Sequence, residues 1–275
     1  MKSFLMITGA TGGLGSAFVF EAARRGYDLL LTDLTPEGEA FADRLAEKFN
    51  INAVYLSCDL ADDKAREKFL NDLKTGGYKF WGLINVAGLD NEGGFLERNR
   101  AQILKILQIN ILATMDITHG ILPLRDTEQR FRLINVCSMA GFYSMPFKAT
   151  YAASKSFLLD FSRALREEIS SFGSVTALCP SGMPTTVECM RSMFAQGFWA
   201  LATSMNPDDV ARITMKAALR GRFVVIPGWI NQWIHAISGL VPQSIAVKYV
   251  AKRWSTARAK LEDPLVIKGN RPVNC

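Results

Sequence analysis

Tyr151 and Lys155 stand four residues apart in Tyr151-Ala152-Ala153-Ser154-Lys155. On a helix that spacing puts both side chains on one face. An ammonium beside a phenol lowers the phenol pKa. A phenol so tuned passes a proton to or from a carbonyl or alcohol oxygen. The same ammonium can hold a ribose by hydrogen bonds. Ser138 lies upstream and ends the apolar run Leu133–Cys137. A hydroxyl at the C-terminal end of a parallel strand stands where ligands bind in open α/β sheets. Tyr and Lys at this spacing also make an ordinary helix pair, so the chemistry needs a second feature.

A glycine loop supplies it. Thr8-Gly9-Ala10-Thr11-Gly12-Gly13-Leu14-Gly15 follows an apolar run and opens a segment of helical period. Gly9 permits a tight turn, Gly13 lets the backbone approach a pyrophosphate, and Gly15 allows close helix packing. The helix N-terminus then offers free N–H groups to phosphate. The competing reading is a plain strand–helix turn. Asp33 closes the second strand, where a carboxylate accepts from a ribose 2′-hydroxyl and repels a 2′-phosphate. Its neighbours Thr11, Gly12 and Leu34 carry no base to relieve that repulsion. The expectation is NAD(H) over NADP(H). Asp33 can also serve as a helix N-terminal acid before Pro36. Asp59, with Leu60, follows the third strand, where it meets an adenine amino group or caps the next helix.

These residues need a scaffold, and the apolar patterning describes one. Strands are expected at Ser3–Thr8, Asp28–Thr32, Ala53–Ser57, Trp81–Val86, Arg132–Cys137, Val175–Cys179 and Phe223–Ile226. Helix-period segments fall at Leu14–Arg25, Pro36–Phe49, Asp62–Leu73, Ala101–Gly120, Ala149–Ser171 and Pro207–Leu219. Short apolar strands alternating with helices predict an α/β, doubly wound Rossmann fold. The sheet would be seven-stranded and mostly parallel, with helices on both faces. Residues 1–227 form this domain, and 228–275 a C-terminal helical extension of it.

With the motifs in place, residues 3–227 resemble the short-chain dehydrogenase/reductase family in its single-domain form. Thr8–Gly15 matches the family's cofactor fingerprint, and Ser138, Tyr151 and Lys155 match its catalytic triad in order and spacing. Asn110, in Leu107-Gln108-Ile109-Asn110, matches the fourth catalytic residue, which orders a water in the proton relay. Asn85-Val86-Ala87-Gly88 resembles the family's NNAG motif with Val86 in place of its second Asn. Pro180-Ser181-Gly182-Met183-Pro184-Thr185 resembles the PG segment after the sixth strand, with Ser181 inserted. Thr185 or Thr186 would then reach the cofactor. The resemblance implies an alcohol–ketone oxidoreductase in which hydride passes through a nicotinamide and Tyr151 handles the proton. The alternatives are a catalytically idle nicotinamide-binding sensor or scaffold, and an NADPH-dependent ketoacyl or ketosteroid reductase.

Residues 88–100 and 183–206 follow strand ends and carry Phe95, Met183, Met190, Met193, Phe194, Phe198 and Trp199. They predict a pocket for an apolar or lipid-like alcohol or ketone, or else simple packing. Ile103, Ile106, Leu107, Phe157, Leu158 and Phe161 lie on the two helices that family members commonly pair. A homodimer or homotetramer is the expectation.

Charge is unevenly placed. Residues 1–209 hold 21 Lys and Arg against 24 Asp and Glu, whereas residues 210–275 hold 11 against 2. Such an excess suits an anionic membrane surface, an anionic substrate or nucleic acid. No nucleic-acid reading motif accompanies it. Trp229, Trp233, Ile237 and Val241 recur at helical spacing, with Lys248, Lys252, Arg253, Arg258 and Lys260 following. Residues 228–261 are expected to form a lid over the substrate that touches an anionic membrane, or to pack on the sheet with their basic face in water. Two histidines and five cysteines without CxxC spacing argue against a metal site. A short apolar N-terminal run that enters the glycine loop directly makes a cytoplasmic location the expectation, with peripheral contact at the inner face of the membrane.

Overall fold

A computed structural model describes residues 3–90 and 92–261. Its strands are β1 (Ser3–Thr8), β2 (Leu29–Thr32), β3 (Ala53–Tyr55), β4 (Lys79–Asn85), β5 (Phe131–Val136), β6 (Gly173–Leu178) and β7 (Val224–Val225). They form one seven-stranded sheet in the order β3-β2-β1-β4-β5-β6-β7, and every pairing is parallel. The order reverses between β1 and β4, which opens a crevice at the C-terminal strand ends.

The helices are α1 (Gly13–Arg24), α2 (Gly38–Phe49), α3 (Asp63–Thr75), α4 (Arg100–Leu107), α5 (Thr114–Ile121), α6 (Ala149–Glu168), α7 (Val187–Gln196), α8 (Phe198–Thr203), α9 (Pro207–Leu219), α10 (Trp229–Ser238) and α11 (Gln243–Leu261). Side chains alternate across a strand, and that alternation builds two cores. Leu5, Ile7, Leu29 and Leu31 face α1, α2 and α9, while Met6 and Leu30 face α3, α5 and α6. Burying each such side chain stabilises the fold by roughly 1.5–3 kcal/mol. This is why the strands read as unbroken apolar runs.

Several elements depart from the sequence expectation. The helix expected over 101–120 is interrupted by a π-turn at Gln108–Ala113. α2 begins at Gly38 rather than Pro36. A Cβ on Gly38 would fall 2.0 Å from the Tyr55 ring, so only glycine admits this contact. Asp62, not Asp59, caps α3 by accepting from the backbone of Lys64 and Ala65. Helices α7 and α8 occupy much of 183–206, separated at Gly197 with φ +80°.

Of the two arrangements expected for residues 228–261, packing of the apolar stripe on the sheet is not the one that α10 takes. Trp229 and Trp233 are 71% and 63% exposed, and the one buried residue of the helix is Asn231. Residues 262–275, the end of the expected extension, lie outside the described residues.

Candidate active site

Four strands end level with one another. Thr8 pairs with Asn85, Asn85 with Asn135, and Val136 with Leu178. The loops after β1, β4, β5 and β6 therefore meet at one edge. Thr8 Oγ1 accepts from the backbone of Val86 and Ala87, at 3.1 and 3.3 Å, and ties two of these loops together.

The glycine loop is shaped as a cradle. Gly9 holds φ +63°, and a Cβ there would fall 2.9 Å from the Ala87 backbone. Gly15 lies so close to the Gly9 carbonyl that a Cβ would overlap it at 1.8 Å. α1 follows Gly12, which gives it no side-chain cap, and has no acid in its first turn, so its first amides are left uncapped. Leu14 is buried and roots the helix in the core. These features fit a dinucleotide pyrophosphate.

Asp33 closes the other side. Its Oδ2 accepts from the Thr11 amide at 2.9 Å and the Thr11 hydroxyl at 2.6 Å, and its Oδ1 accepts from the Leu34 amide at 2.9 Å. The carboxylate is thus fixed against the cradle and does not start α2. Asp59 is exposed and accepts from the Ala61 amide, while Leu60 is buried against the sheet.

Tyr151 and Lys155 share the inner face of α6. The Lys155 ammonium lies 5.7 Å from the Tyr151 ring centroid and donates to the Val136 carbonyl at 2.8 Å. Burial holds the Lys155 pKa below the ordinary lysine range. The phenol does not follow the sequence expectation of a lowered pKa. Burial first, and then the Asp90 carboxylate, push Tyr151 up to about 12, against a hydrogen bond with Ser138 and the charge of Lys148. Ser138 Oγ also accepts from the Ala140 amide at 3.1 Å.

Asn110 is completely buried in the π-turn. Its amide donates to the Leu89 carbonyl and to Ser154 Oγ, both at 3.0 Å, and its Oδ1 accepts from the Leu89 amide at 2.8 Å. Gly88 sits between Asn110 and Lys155. A Cβ on it would be 3.3 Å from both Asn110 Oδ1 and Lys155 Nζ. The extra residue of a π-turn shifts the helical ladder and re-aims a side chain.

Asn85 stands apart from the cradle. Its amide donates to Thr118 Oγ1 at 3.0 Å and Asn135 Oδ1 at 2.9 Å, bracing β4 against α5 and β5. Thr185 faces the glycine loop so closely that a Cβ on Gly13 would fall 2.8 Å from its own Cβ. Thr186 instead caps α7 by accepting from the Cys189 amide, so Thr185 is the member of the pair left beside the cradle. The Pro180 carbonyl accepts from the Met139 amide at 2.9 Å and links the β6 loop to the Ser138 loop. Gly182 is exposed, and its carbonyl accepts from the Met205 amide.

The structure adds residues that motif reading missed. Lys148, just before α6, binds Asp90 at 2.5 Å and Glu92 at 2.8 Å and lies 5.6 Å from the Tyr151 ring centroid. Burial alone would lower its pKa, but the two carboxylates outweigh burial and raise it. Trp254 of α11 covers this cation at 5.0 Å. The signal for Lys148 was a cation three residues before Tyr151, at the start of the same helix. Among the expected pocket residues, Met193 is buried, and Phe95, Met190, Phe194 and Phe198 are exposed. Met183 packs against the sheet core, and the side chain of Trp199 lies outside the described residues.

A family model described as short chain dehydrogenase matches residues 3–194. A very-long-chain 3-oxoacyl-CoA reductase of Coprinopsis cinerea is 31% identical over 177 residues, covering 63% of this chain and 52% of that protein. The chain thus spans about half the length of this relative. A sulfoacetaldehyde reductase 2 of Chromohalobacter salexigens is 27% identical over 231 residues, covering 79% of this chain and 89% of that protein. A solved short-chain dehydrogenase of Sphingobium yanoikuyae in complex with NADPH superposes with a TM-score of 0.73 at 23% identity. The match covers 99% of this chain and 98% of that one. The likeness is one of fold.

Proposed function

The chain belongs to the short-chain dehydrogenase family, and on that premise we propose that it reduces a ketone on a long apolar acyl chain, with Tyr151 as the proton donor. One arrangement carries the proton role. Tyr151 shares a helix face with Lys155 and hydrogen-bonds Ser138, and its phenol, pushed up to about 12 by burial, is in the protonated form that can give a proton to a ketone oxygen. The substrate class draws support from the 3-oxoacyl-CoA reductase relatives. It also draws support from the exposed Phe194, Phe198 and Leu201 on the helices after β6, which a small sulfonated aldehyde would not use.

When bound, a nicotinamide supplies the hydride. Tyr151 gives its proton to the substrate oxygen as charge develops there. Ser138 donates a hydrogen bond to the same oxygen and stabilises that charge. Lys155, drawn toward Val136, holds the cofactor ribose and restores the phenol's proton through a water ordered at Asn110. Gly9, Gly12, Gly13, Gly15 and Thr185 would hold the pyrophosphate of the cofactor. Asp33 would bind its adenosine ribose hydroxyls, which favours NAD(H) over NADP(H). Leu112, Met115 and Phe157 are exposed on the π-turn, α5 and α6, and we place a two-fold contact between copies there.

The test uses a long-chain 3-oxoacyl thioester with NADH or NADPH. Tyr151→Phe should lower turnover by about 10²–10⁴ while NADH still binds with unchanged affinity by fluorescence titration. Retention of most of the wild-type rate by Tyr151→Phe would overturn the proton assignment. Equal affinity for the two cofactors would overturn the reading of Asp33.

A further inference from the structure

Helix α10 is built with its polar side inward. Asn231 is 2% exposed, and its amide donates to the Pro227 carbonyl at 2.8 Å, the Thr203 carbonyl at 3.0 Å and Ser181 Oγ at 3.1 Å. Ser238 and His235 meet the Tyr143 hydroxyl at 2.7 and 3.3 Å, and the His235 ring lies tilted against Phe142 with centroids 4.1 Å apart. On a helix of about 3.6 residues per turn, Asn231, His235 and Ser238 share one face. Trp229, Trp233 and Ile237 take the opposite one, Ile234 lies at its border with the polar face, and all four are exposed. Leu240, Val241, Ile245 and Tyr249 extend the exposed apolar surface onto α11. So contiguous an apolar surface on a water-facing helix marks an interaction site.

Charge identifies the partner. No Asp or Glu occurs from Val210 to Leu261, while this stretch carries nine Lys and Arg. Lys248 and Lys252 are exposed on α11, and Lys252 and Arg253 line a cavity of about 260 Å³ with Tyr249 and Gln196. Exposed Trp and Ile beside unopposed cations complement a surface that is apolar below and anionic above. No helix among the described residues is long and apolar enough to cross a membrane. We propose that α10 and the start of α11 dock the protein on an anionic lipid surface. The Trp229–Val241 stripe enters the acyl boundary, and Lys248, Lys252 and Arg253 meet the headgroups. This docking follows from the face itself and holds whatever the substrate is.

The proposal is tested by flotation of the full chain with phosphatidylcholine vesicles, with and without phosphatidylserine. The wild type should float with anionic vesicles at low salt and leave them as salt rises. Lys248→Gln with Lys252→Gln should weaken that binding on the order of thirtyfold. Trp229→Ser with Trp233→Ser should abolish it, with the melting temperature kept because both side chains are exposed. Absence of binding to anionic vesicles at low salt would overturn the proposal. So would equal binding by the Trp variant. A third overturning result is wild-type self-association, seen by light scattering, that the Trp variant alone loses. That result would make the face a contact between copies.

Discussion

Lys148 lies beside Tyr151, yet its partners Asp90 and Glu92 come from a loop some 58 residues earlier. That Ser138, Tyr151 and Lys155 come together was legible because short motifs carry them. The ion cluster was not, because only the fold brings the β4 loop onto the start of α6. It has a consequence for pH. Asp90 raises the Tyr151 pKa and Lys148 lowers it. Asp90→Asn removes the first effect and leaves Lys148 less neutralised, so both changes move the phenol the same way, down from about 12. For alcohol oxidation the phenolate is the competent form, and kcat/KM reports the free enzyme. The alkaline rise in kcat/KM for oxidation should therefore begin at lower pH in Asp90→Asn than in the wild type. A profile unmoved, or moved upward, would show that Asp90 does not act on the phenol.

Hydrophobic periodicity located α10 but could not say which side of it faces the protein. A stripe of Trp and Ile at helical spacing describes a helix with two faces. Burial of the polar face depends on Ser181 and Thr203, which no local pattern links to Asn231. Ser181 is the residue inserted into the expected loop after β6, and it proves to be an anchor for the extension. The π-turn was hidden for a related reason. The apolar positions of 101–120 continue in helical register on either side of Asn110, so the pattern gives no sign of one extra residue. Asn231→Ala should leave the Ser181 hydroxyl and two carbonyls without this donor. The expected cost is about 1–3 kcal/mol, read as a lower midpoint in urea, with the cofactor cradle unchanged in NADH affinity. A midpoint equal to that of the wild type would mean that α10 is held by other contacts.

At the scale of the whole chain, the seven-stranded parallel sheet was legible, because strands buried on both faces leave unbroken apolar runs, whereas the strand order came only from the pairing of the strands. The arrangement of the extension was less so. It is joined to the sheet domain through polar contacts at Asn231, His235, Ser238 and Gln243, with Trp254 and Ala257 as its buried apolar anchors. The sheet, by contrast, is sealed by two cores. Two regions held by such different means need not open together. Local opening costs less where little apolar surface is buried. Backbone amides of α10 should therefore exchange with deuterium oxide through a sub-global opening, far faster than those of β1, β4 and β5. Because that opening exposes little new surface, low concentrations of urea should barely accelerate it. Exchange of α10 in step with the sheet, and with the same urea dependence, would show a single cooperative unit. The opposite result would make the extension a separately opening unit, able to uncover Tyr143 and the Ser138 loop while the cofactor cradle stays closed.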